Sequence, residues 1–337
     1  MNIGQINKLR NSAELPGKGK NPELKETNIS WVILFEDVAY KIKRPVKYSF
    51  VDFSSLENRY YYCQKEIELN RRLAPQMYLD VIPITKGMTE DTNDGSKTVD
   101  YAVKMKRMDN SREMHNLLEQ KQVTENNIES LAGVIASFHQ QIEVLQKPFD
   151  PTAFQDMYAD LQSVESFTRE NAGKKYADII SQSIEKSDAF LKKHAQILKE
   201  RVEKGFTRNC HGDLNAYNIF LYDKPVVFDC LEFNENFRHI DILNEIAFLC
   251  VDLDFFDQHH LSVVFIKKYS RDSGLMESPE ANELLSYYKS YRANIRAKVT
   301  LISARDNQHG DNRGQIGEAC RYLNLMEQYL GEIRYGF

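Results

Sequence analysis

The sequence has 337 residues, 42% hydrophobic and 28% charged, which predicts a folded chain of two lobes or one large domain and excludes wholesale disorder. Its 44 basic and 49 acidic side chains leave a net charge of -5, so no general electrostatic drive toward nucleic acid or an anionic membrane exists. No apolar run approaches the roughly 20 residues of a bilayer span, and the opening MNIGQINKLRNSAELPGKGK lacks the apolar centre of a secretion signal. A soluble, cytoplasmic protein is the expectation. Cys63, Cys210, Cys230, Cys250 and Cys320 are widely spaced and odd in number, with no CxxC pair, so they read as core residues in a reducing compartment. With 15 glycines, any nucleotide-binding loop is expected to be unconventional.

Residues 1–28 are polar and broken by Pro16, Gly17 and Pro22, and a short helix followed by a loop is expected. The β-branched and aromatic run 29–35, the turn Glu36-Asp37 and the run 38–43 predict a hairpin. Residues 55–73 have helical apolar spacing, with Ser54 or Ser55 as the cap and Pro75 beyond the end. Tyr60, Tyr61 and Tyr62 on that helix are expected to pack between helix and sheet. Strands over 81–85 and 99–105 flank the turn signal Asn93-Asp94-Gly95. Helical patterns then cover 111–121, 124–142, 150–171 and 175–203. A strand–loop–strand region from 207 to 233 interrupts them, and helices resume near 240. Strands with one helix, then helices around a small β insertion, predict an α+β chain of two unequal lobes. The division is placed at 1–108 and 109–337, with 1–28 as a polar arm on the first lobe.

The densest group of functional side chains is Asn209-Cys-His-Gly-Asp-Leu-Asn-Ala-Tyr-Asn218. Asn218 opens a short apolar strand, Asp223-Lys224-Pro225 turns the chain, and Asp229 ends the next strand, so a hairpin would return Asp229 to Asn218. An amide oxygen and a carboxylate are hard ligands suited to Mg²⁺. Asp213, in the same loop, is placed to take a proton from a substrate hydroxyl.

This spacing resembles the protein kinase catalytic loop, in which an Asp base precedes a metal-binding Asn by five positions. His211-Gly212-Asp213 with Asn218 is more similar to the His-Gly-Asp form of aminoglycoside phosphotransferases and related small-molecule kinases. Asp241-Ile-Leu-Asn-Glu245-Ile-Ala247 resembles that family's Asp-x-x-x-Asp-Leu-Ala helix, with Glu245 replacing the second Asp. Phe228-Asp-Cys-Leu-Glu-Phe-Asn234 with Arg238-His-Ile-Asp241 looks like an uncharacterised bacterial branch of the superfamily. The resemblance covers roughly 29–300 and is most specific over 209–247. It implies a protein-kinase-like fold: a small N-lobe with an antiparallel sheet and one helix, and a larger, mainly helical C-lobe.

The resemblance also implies an ATP-dependent phosphotransferase acting on a small hydroxyl-bearing molecule, with Asp213 as base, Asn218 and Asp229 on Mg²⁺, and Asp241 mainly structural. Val38-Ala39-Tyr40-Lys41 looks like the strand whose lysine pairs the nucleotide phosphates, and Glu66 on the following helix is nominated as its partner. Lys43 rivals Lys41, because alternate residues share one strand face. The stretch 103–108 takes the place of the inter-lobe hinge, with Met105 and Met108 near the adenine ring. Two departures stand out. No Gly-x-Gly-x-x-Gly precedes the lysine strand, and Asn215 and Tyr217 occupy positions where relatives often have His and Gly. The absence of Gly-x-x-x-x-Gly-Lys-Ser/Thr removes P-loop kinases.

Other readings compete for some of these residues. His211-Gly-Asp213 and His239-Ile-Asp241 with Asp229 suit a metal-dependent hydrolase, although that reading leaves Lys41 and Glu66 unexplained. A nucleotide-binding pseudokinase scaffold is the third reading, resting on Asn215 and Tyr217. Glu232 reads equally as a second metal or substrate contact and as a solvated turn residue. Arg292 and Arg296, four apart, form a basic stripe that suits an anionic acceptor or a solvated helix face. Oligomeric state and the choice between ATP and GTP are not encoded in any motif.

Overall fold

The computed structural model describes residues 1–12, 14–90, 96–276, 280–307 and 311–333. In chain order the elements begin with α1 (Ile3–Arg10), β1 (Glu23–Glu26), β2 (Ser30–Leu34), β3 (Val38–Lys43), β4 (Lys47–Tyr48), β5 (Val51–Asp52), α2 (Leu56–Asn70), β6 (Tyr78–Thr85) and β7 (Thr98–Lys106). They continue with α3 (Met114–Glu119), α4 (Glu125–Gln141), α5 (Pro151–Ala159), α6 (Glu165–Ala172), α7 (Lys174–Glu203), β8 (Thr207–Asn209), β9 (Ile219–Phe220), β10 (Val226–Val227) and β11 (His239–Asp241). Four helices close the chain: α8 (Ile242–Phe255), α9 (His259–Ser273), α10 (Glu280–Asp306) and α11 (Arg313–Glu332).

The chain forms two compact units, one of Met1–Leu117 with Tyr217–Arg238 and the other of Leu118–Ala216 with His239–Phe337. A single cut after residue 108 does not reproduce them, because 109–117 and 217–238 belong with the sheet. Asn218 and Asp229 therefore lie in the same unit as Lys41 and Glu66.

The first unit is built on an antiparallel sheet ordered β1-β2-β3-β7-β6. The expected hairpin is β2–β3, with Leu34 opposite Ala39. β1 falls where a loop is expected. It is an edge strand, Glu-Leu-Lys-Glu, with only Leu24 partly buried, and such charge blunts a sheet edge while hiding the strand from apolar patterning. One sheet face packs on α1 through Ile6, Leu9, Trp31, Ile33, Tyr40 and Ile42. Side chains alternate along β3, so Ala39 joins the opposite face, in a cluster with Cys63, Ile67, Val103, Met105 and Phe220. Lys41 and Lys43 share that second face with Ala39.

α2 starts where expected, with Ser55 Oγ accepting the Asn58 amide hydrogen 3.0 Å away. The tyrosine run packs in part as expected, with Tyr60 against Tyr101 of β7 at a ring-centroid distance of 4.5 Å and Tyr62 against Phe53 at 5.2 Å. Tyr60 and Tyr61 are exposed, and the buried face of α2 is Arg59, Cys63, Glu66, Ile67, Leu69 and Asn70. Within this mixed face, Arg59 meets the Asp100 carboxylate and Glu66 the Lys41 and Lys43 ammonium groups. The turn signal at 93–95 lies outside the described residues.

The second unit is mainly helical. The expected helix over 150–171 is two helices, α5 and α6, joined by a 3-10 turn over Asp160–Val164. α8 is buried along its whole length, as an apolar helix surrounded by others must be. α10 packs on α8 and α11, and α4 packs on α9. β8 and β11 pair antiparallel, with His239 opposite Asn209. Among the described residues no helix is long and apolar enough to cross a membrane, and no disulfide joins the five cysteines, four of which are buried.

Candidate active site

In the first unit, β3 and α2 place two lysines against one carboxylate. Glu66 is fully buried; its Oε1 lies 2.9 Å from Lys41 Nζ and its Oε2 2.7 Å from Lys43 Nζ. Lys41 also meets Asp229 at 2.5 Å, and Lys43 donates to Glu232. The two lysines are not equivalent. Lys41 is 14% exposed and its partner Asp229 43%, whereas Lys43 is 1% exposed and Glu232 4%. Lys43 also lies 4.8 Å from the Phe53 ring centroid, so its ammonium is enclosed.

The charges follow from this packing. Burial alone would lower the Lys41 ammonium, but Asp229, Glu66 and Glu232 hold it well above its ordinary value. Lys43 is raised too, with Glu232 and Glu66 outweighing burial. Burial would raise Glu66, yet the two lysines bring it below the usual carboxylate range. Burial dominates at Glu232, whose carboxyl is raised despite Lys43.

Asp229 is held by its backbone. Its φ of 63° lies in the left-handed region, which Asp tolerates better than most residues. Its amide donates to Tyr78 Oη at 3.1 Å, and the next amide, Cys230, donates to Asn70 Oδ1 at 2.8 Å. Arg72 also reaches Cys230 Sγ at 3.2 Å. The β9–β10 hairpin forms as expected, with Val227 opposite Ile219, and the Phe228 amide donates to the Asn218 carbonyl at 3.0 Å. Asn218 and Asp229 thus stand at adjacent ends of two paired strands. Tyr78, Asn70 and Arg72 were not singled out from sequence; an isolated Tyr or Asn carries no spacing signal.

Met105 is buried in the apolar cluster, and its β7 backbone pairs β3 at Ala39 and β6 at Tyr78. Met108 lies beyond the strand, beside a cleft of about 630 Å³ lined by Lys18, Leu34, Glu36, Arg107 and Asp109. The Arg107 amide is taken by the Asp37 carbonyl, and the Asp109 amide by Tyr222 Oη.

In the second unit, the loop bearing Asp213 is fixed from beneath. The Glu245 carboxylate accepts the amides of His211 at 2.8 Å and Gly212 at 3.0 Å. Gly212 has φ 87°, a conformation that requires the missing side chain at this point. Asn215 Nδ2 donates to the Asp213 carbonyl at 3.2 Å, and the Ala216 amide donates to Asp252 Oδ2 at 2.8 Å. Burial raises the Asp252 carboxyl, opposed by Arg296, which donates to both of its oxygens at 3.1 and 2.9 Å. Arg292 is buried, with Nε on the Asn244 carbonyl and Nη1 on the Gly212 carbonyl. The basic stripe is therefore neither a solvated face nor an open anion site: Arg292 and Arg296 bolt α10 to α8 and to the 212–216 loop.

Asp241 takes a bidentate pair from Arg201, at 2.5 and 2.8 Å, and accepts the Leu243 amide that starts α8. Its oxygens are committed to structure, which weakens the paired His-x-Asp hydrolase reading. Among the described residues, His139, Cys210 and Glu245 form the set whose potential ligand atoms lie within 4.8 Å of one another. Glu245 is already engaged by two loop amides.

The fold is similar to that of solved aminoglycoside phosphotransferases and choline/ethanolamine kinases. A choline/ethanolamine kinase family protein from Mesorhizobium loti matches with a TM-score of 0.54 at 15% identity, over 98% of both chains. Choline kinase from Cryptosporidium parvum matches at 0.55 and 10% identity, over 98% of this chain and 96% of that one. The GDP complex of aminoglycoside 2'-phosphotransferase-IIIa matches at 0.52 and 13% identity, over 94% of each. Uncharacterized proteins of Mycobacterium tuberculosis and Mycobacterium bovis are 29% identical over 317 residues, 91% of this chain and 59% of theirs. The chain thus spans less than two thirds of the length of these curated relatives. No family model matches the sequence.

Proposed function

We propose that the protein is an ATP-dependent phosphotransferase that moves the γ-phosphate to a hydroxyl of a small molecule in the cytoplasm. The observation that carries this reading is Lys41, held between buried Glu66 and exposed Asp229. An ammonium so placed is fixed at one end and exchangeable at the other, which suits a group that grips phosphates. Lys43 has no such open side, so Lys41 is assigned to the phosphates.

Asn218 and Asp229 are the residues that would hold Mg²⁺. The fit rests on hard oxygen donors at the mouth of one hairpin, and on Asp229 being the one exposed carboxylate of the lysine network. When bound, the ion supplies charge neutralisation for the phosphate oxygens. Met108 is assigned to the adenine edge, and buried Met105 backs the same apolar face. Asp213, five residues before Asn218 in the chain, orients the acceptor hydroxyl and takes its proton, on a loop whose backbone Glu245, Asp252 and Arg292 hold still. Catalysis on this reading is positioning and charge stabilisation, which is what phosphoryl transfer demands.

The test is Asp213→Asn with both Mg-ATP and Mg-GTP. Nucleotide binding is expected to stay within about threefold of wild type while transfer falls by at least about a hundredfold, the scale of a lost general base. Wild-type turnover in the variant removes Asp213 from this role.

A further inference from the structure

We infer that Lys43 and Glu232 form a permanent internal ion pair that fixes Glu66, so that Lys41 exchanges Asp229 for phosphate without losing its own anchor. This rests on the phosphotransferase reading and adds two positioning residues to it.

Glu66 has two oxygens and two lysines, and they are used differently. Lys43 donates a hydrogen bond to Oε2 at 2.7 Å, while Oε1 meets Lys41 as an ion pair at 2.9 Å without an aligned hydrogen bond. A lone carboxylate serving only Lys41 would be free to rotate whenever Lys41 moved toward a substrate. Here the second oxygen is locked by a lysine that cannot leave, because Lys43 is sealed by Glu66, Glu232 and the Phe53 ring.

Glu232 closes the arrangement. It stands three residues after Asp229, on a segment whose amides at 229 and 230 are held by Tyr78 and Asn70. The pair from Glu232 to Lys43 therefore ties the Asp229 segment to β3 at a point separate from Lys41. One strand, one helix and one loop are joined by two parallel bridges, of which the outer opens to solvent and the inner does not. The charges agree with this division. Two ammoniums and three carboxylates leave one negative charge on the network, which favours arrival of a divalent cation at its exposed carboxylate.

The sequence carries the same logic. Lys41 and Lys43 are alternate residues on one face of β3, and Glu232 follows Asp229 by three residues on a segment whose backbone is pinned at 229 and 230. Without Glu232, Lys43 has a single carboxylate partner and draws Glu66 toward itself, away from Lys41.

The experiment compares wild type with Glu232→Gln, Glu232→Asp and the double variant Lys43→Met/Glu232→Gln, which removes both charges of the inner pair together. Thermal melting first establishes that each is folded. Lys41 is then labelled with an electrophilic adenosine analogue carrying a sulfonyl fluoride, and the rate of modification at Lys41 is followed by peptide mass spectrometry. ATP turnover is measured in parallel. For folded Glu232→Gln and for the double variant, labelling of Lys41 and kcat are each expected to fall at least about tenfold, with Mg-ATP affinity changed less than about threefold; Glu232→Asp should recover part of both. If wild type neither binds Mg-ATP nor is labelled in an ATP-protectable way, the phosphotransferase reading fails. If wild type is labelled and turns over while both charge-removing variants match it, the positioning role of Lys43 and Glu232 is overturned. Failure of every variant to fold, with Glu232→Asp included, also overturns it, because the pair would then serve stability alone.

Discussion

Replacing Arg296 by Met strands a carboxylate. Asp252 is fully buried, and without the guanidinium it keeps only the Ala216 amide, at 2.8 Å, as a charged-form partner. Breaking a buried ion pair from one side costs about 3–5 kcal/mol. Arg296 is 22% exposed, so some of its interaction is softened by water and the lower end, about 3 kcal/mol, is the expected loss. The Asp252 carboxyl, already raised by burial, rises further once Arg296 no longer opposes that shift. Urea unfolding should show a lower midpoint at an unchanged slope. The double variant Arg296→Met/Asp252→Asn tests the pairing, since it removes both charges. It should be more stable than the sum of the single losses by at least about 1 kcal/mol. A loss below about 0.5 kcal/mol in Arg296→Met, or strict additivity in the double variant, refutes the role assigned to Arg296.

Two further outcomes follow from the second unit. Burial and Arg208 depress His139 from 6.5 to about 3, so the unfolded chain binds the proton first, and stability is full above pH 6.5 and falls as pH drops toward 3. At pH 5 the loss from this group is about 2 kcal/mol, and His139→Gln should flatten the stability profile between pH 6.5 and 4.5 when unfolding is measured across that range. Gly212→Ala should cost about 1–3 kcal/mol, because φ 87° is unfavourable for a side chain, and should lower kcat more than it raises KM; an unchanged melting temperature and kcat would contradict the loop geometry.

Much of the first unit was legible in order and type. The run 38–43 sits beside a capped helix bearing Glu66, and those short-range signals persist in the fold. The choice between Lys41 and Lys43 was not legible, because alternation puts both on one face and only depth separates them. That depth comes from Phe53, ten residues beyond Lys43, and from Glu232, 189 residues away in the chain. β1 escaped because an exposed edge strand needs no apolar residues. Arg292 and Arg296 have the spacing of a basic stripe, and a polar helix face keeps that spacing whether it meets water or buried carbonyls and carboxylates. Their partners, Gly212 and Asp252, lie 80 and 44 residues away in the chain. The Asp213, Asn218 and Asp229 set stands out for the opposite reason: its three chemistry-bearing side chains lie within one short stretch, and a hairpin is enough to gather two of them.

The central claim is transfer of phosphate to a hydroxyl, and ATP labelled in its γ-phosphate tests it directly. Wild-type protein incubated with labelled ATP, Mg²⁺ and a small-molecule extract should produce a labelled organic phosphate ester that Asp213→Asn does not make. Label appearing only as inorganic phosphate, or a product formed equally by Asp213→Asn, would contradict the account.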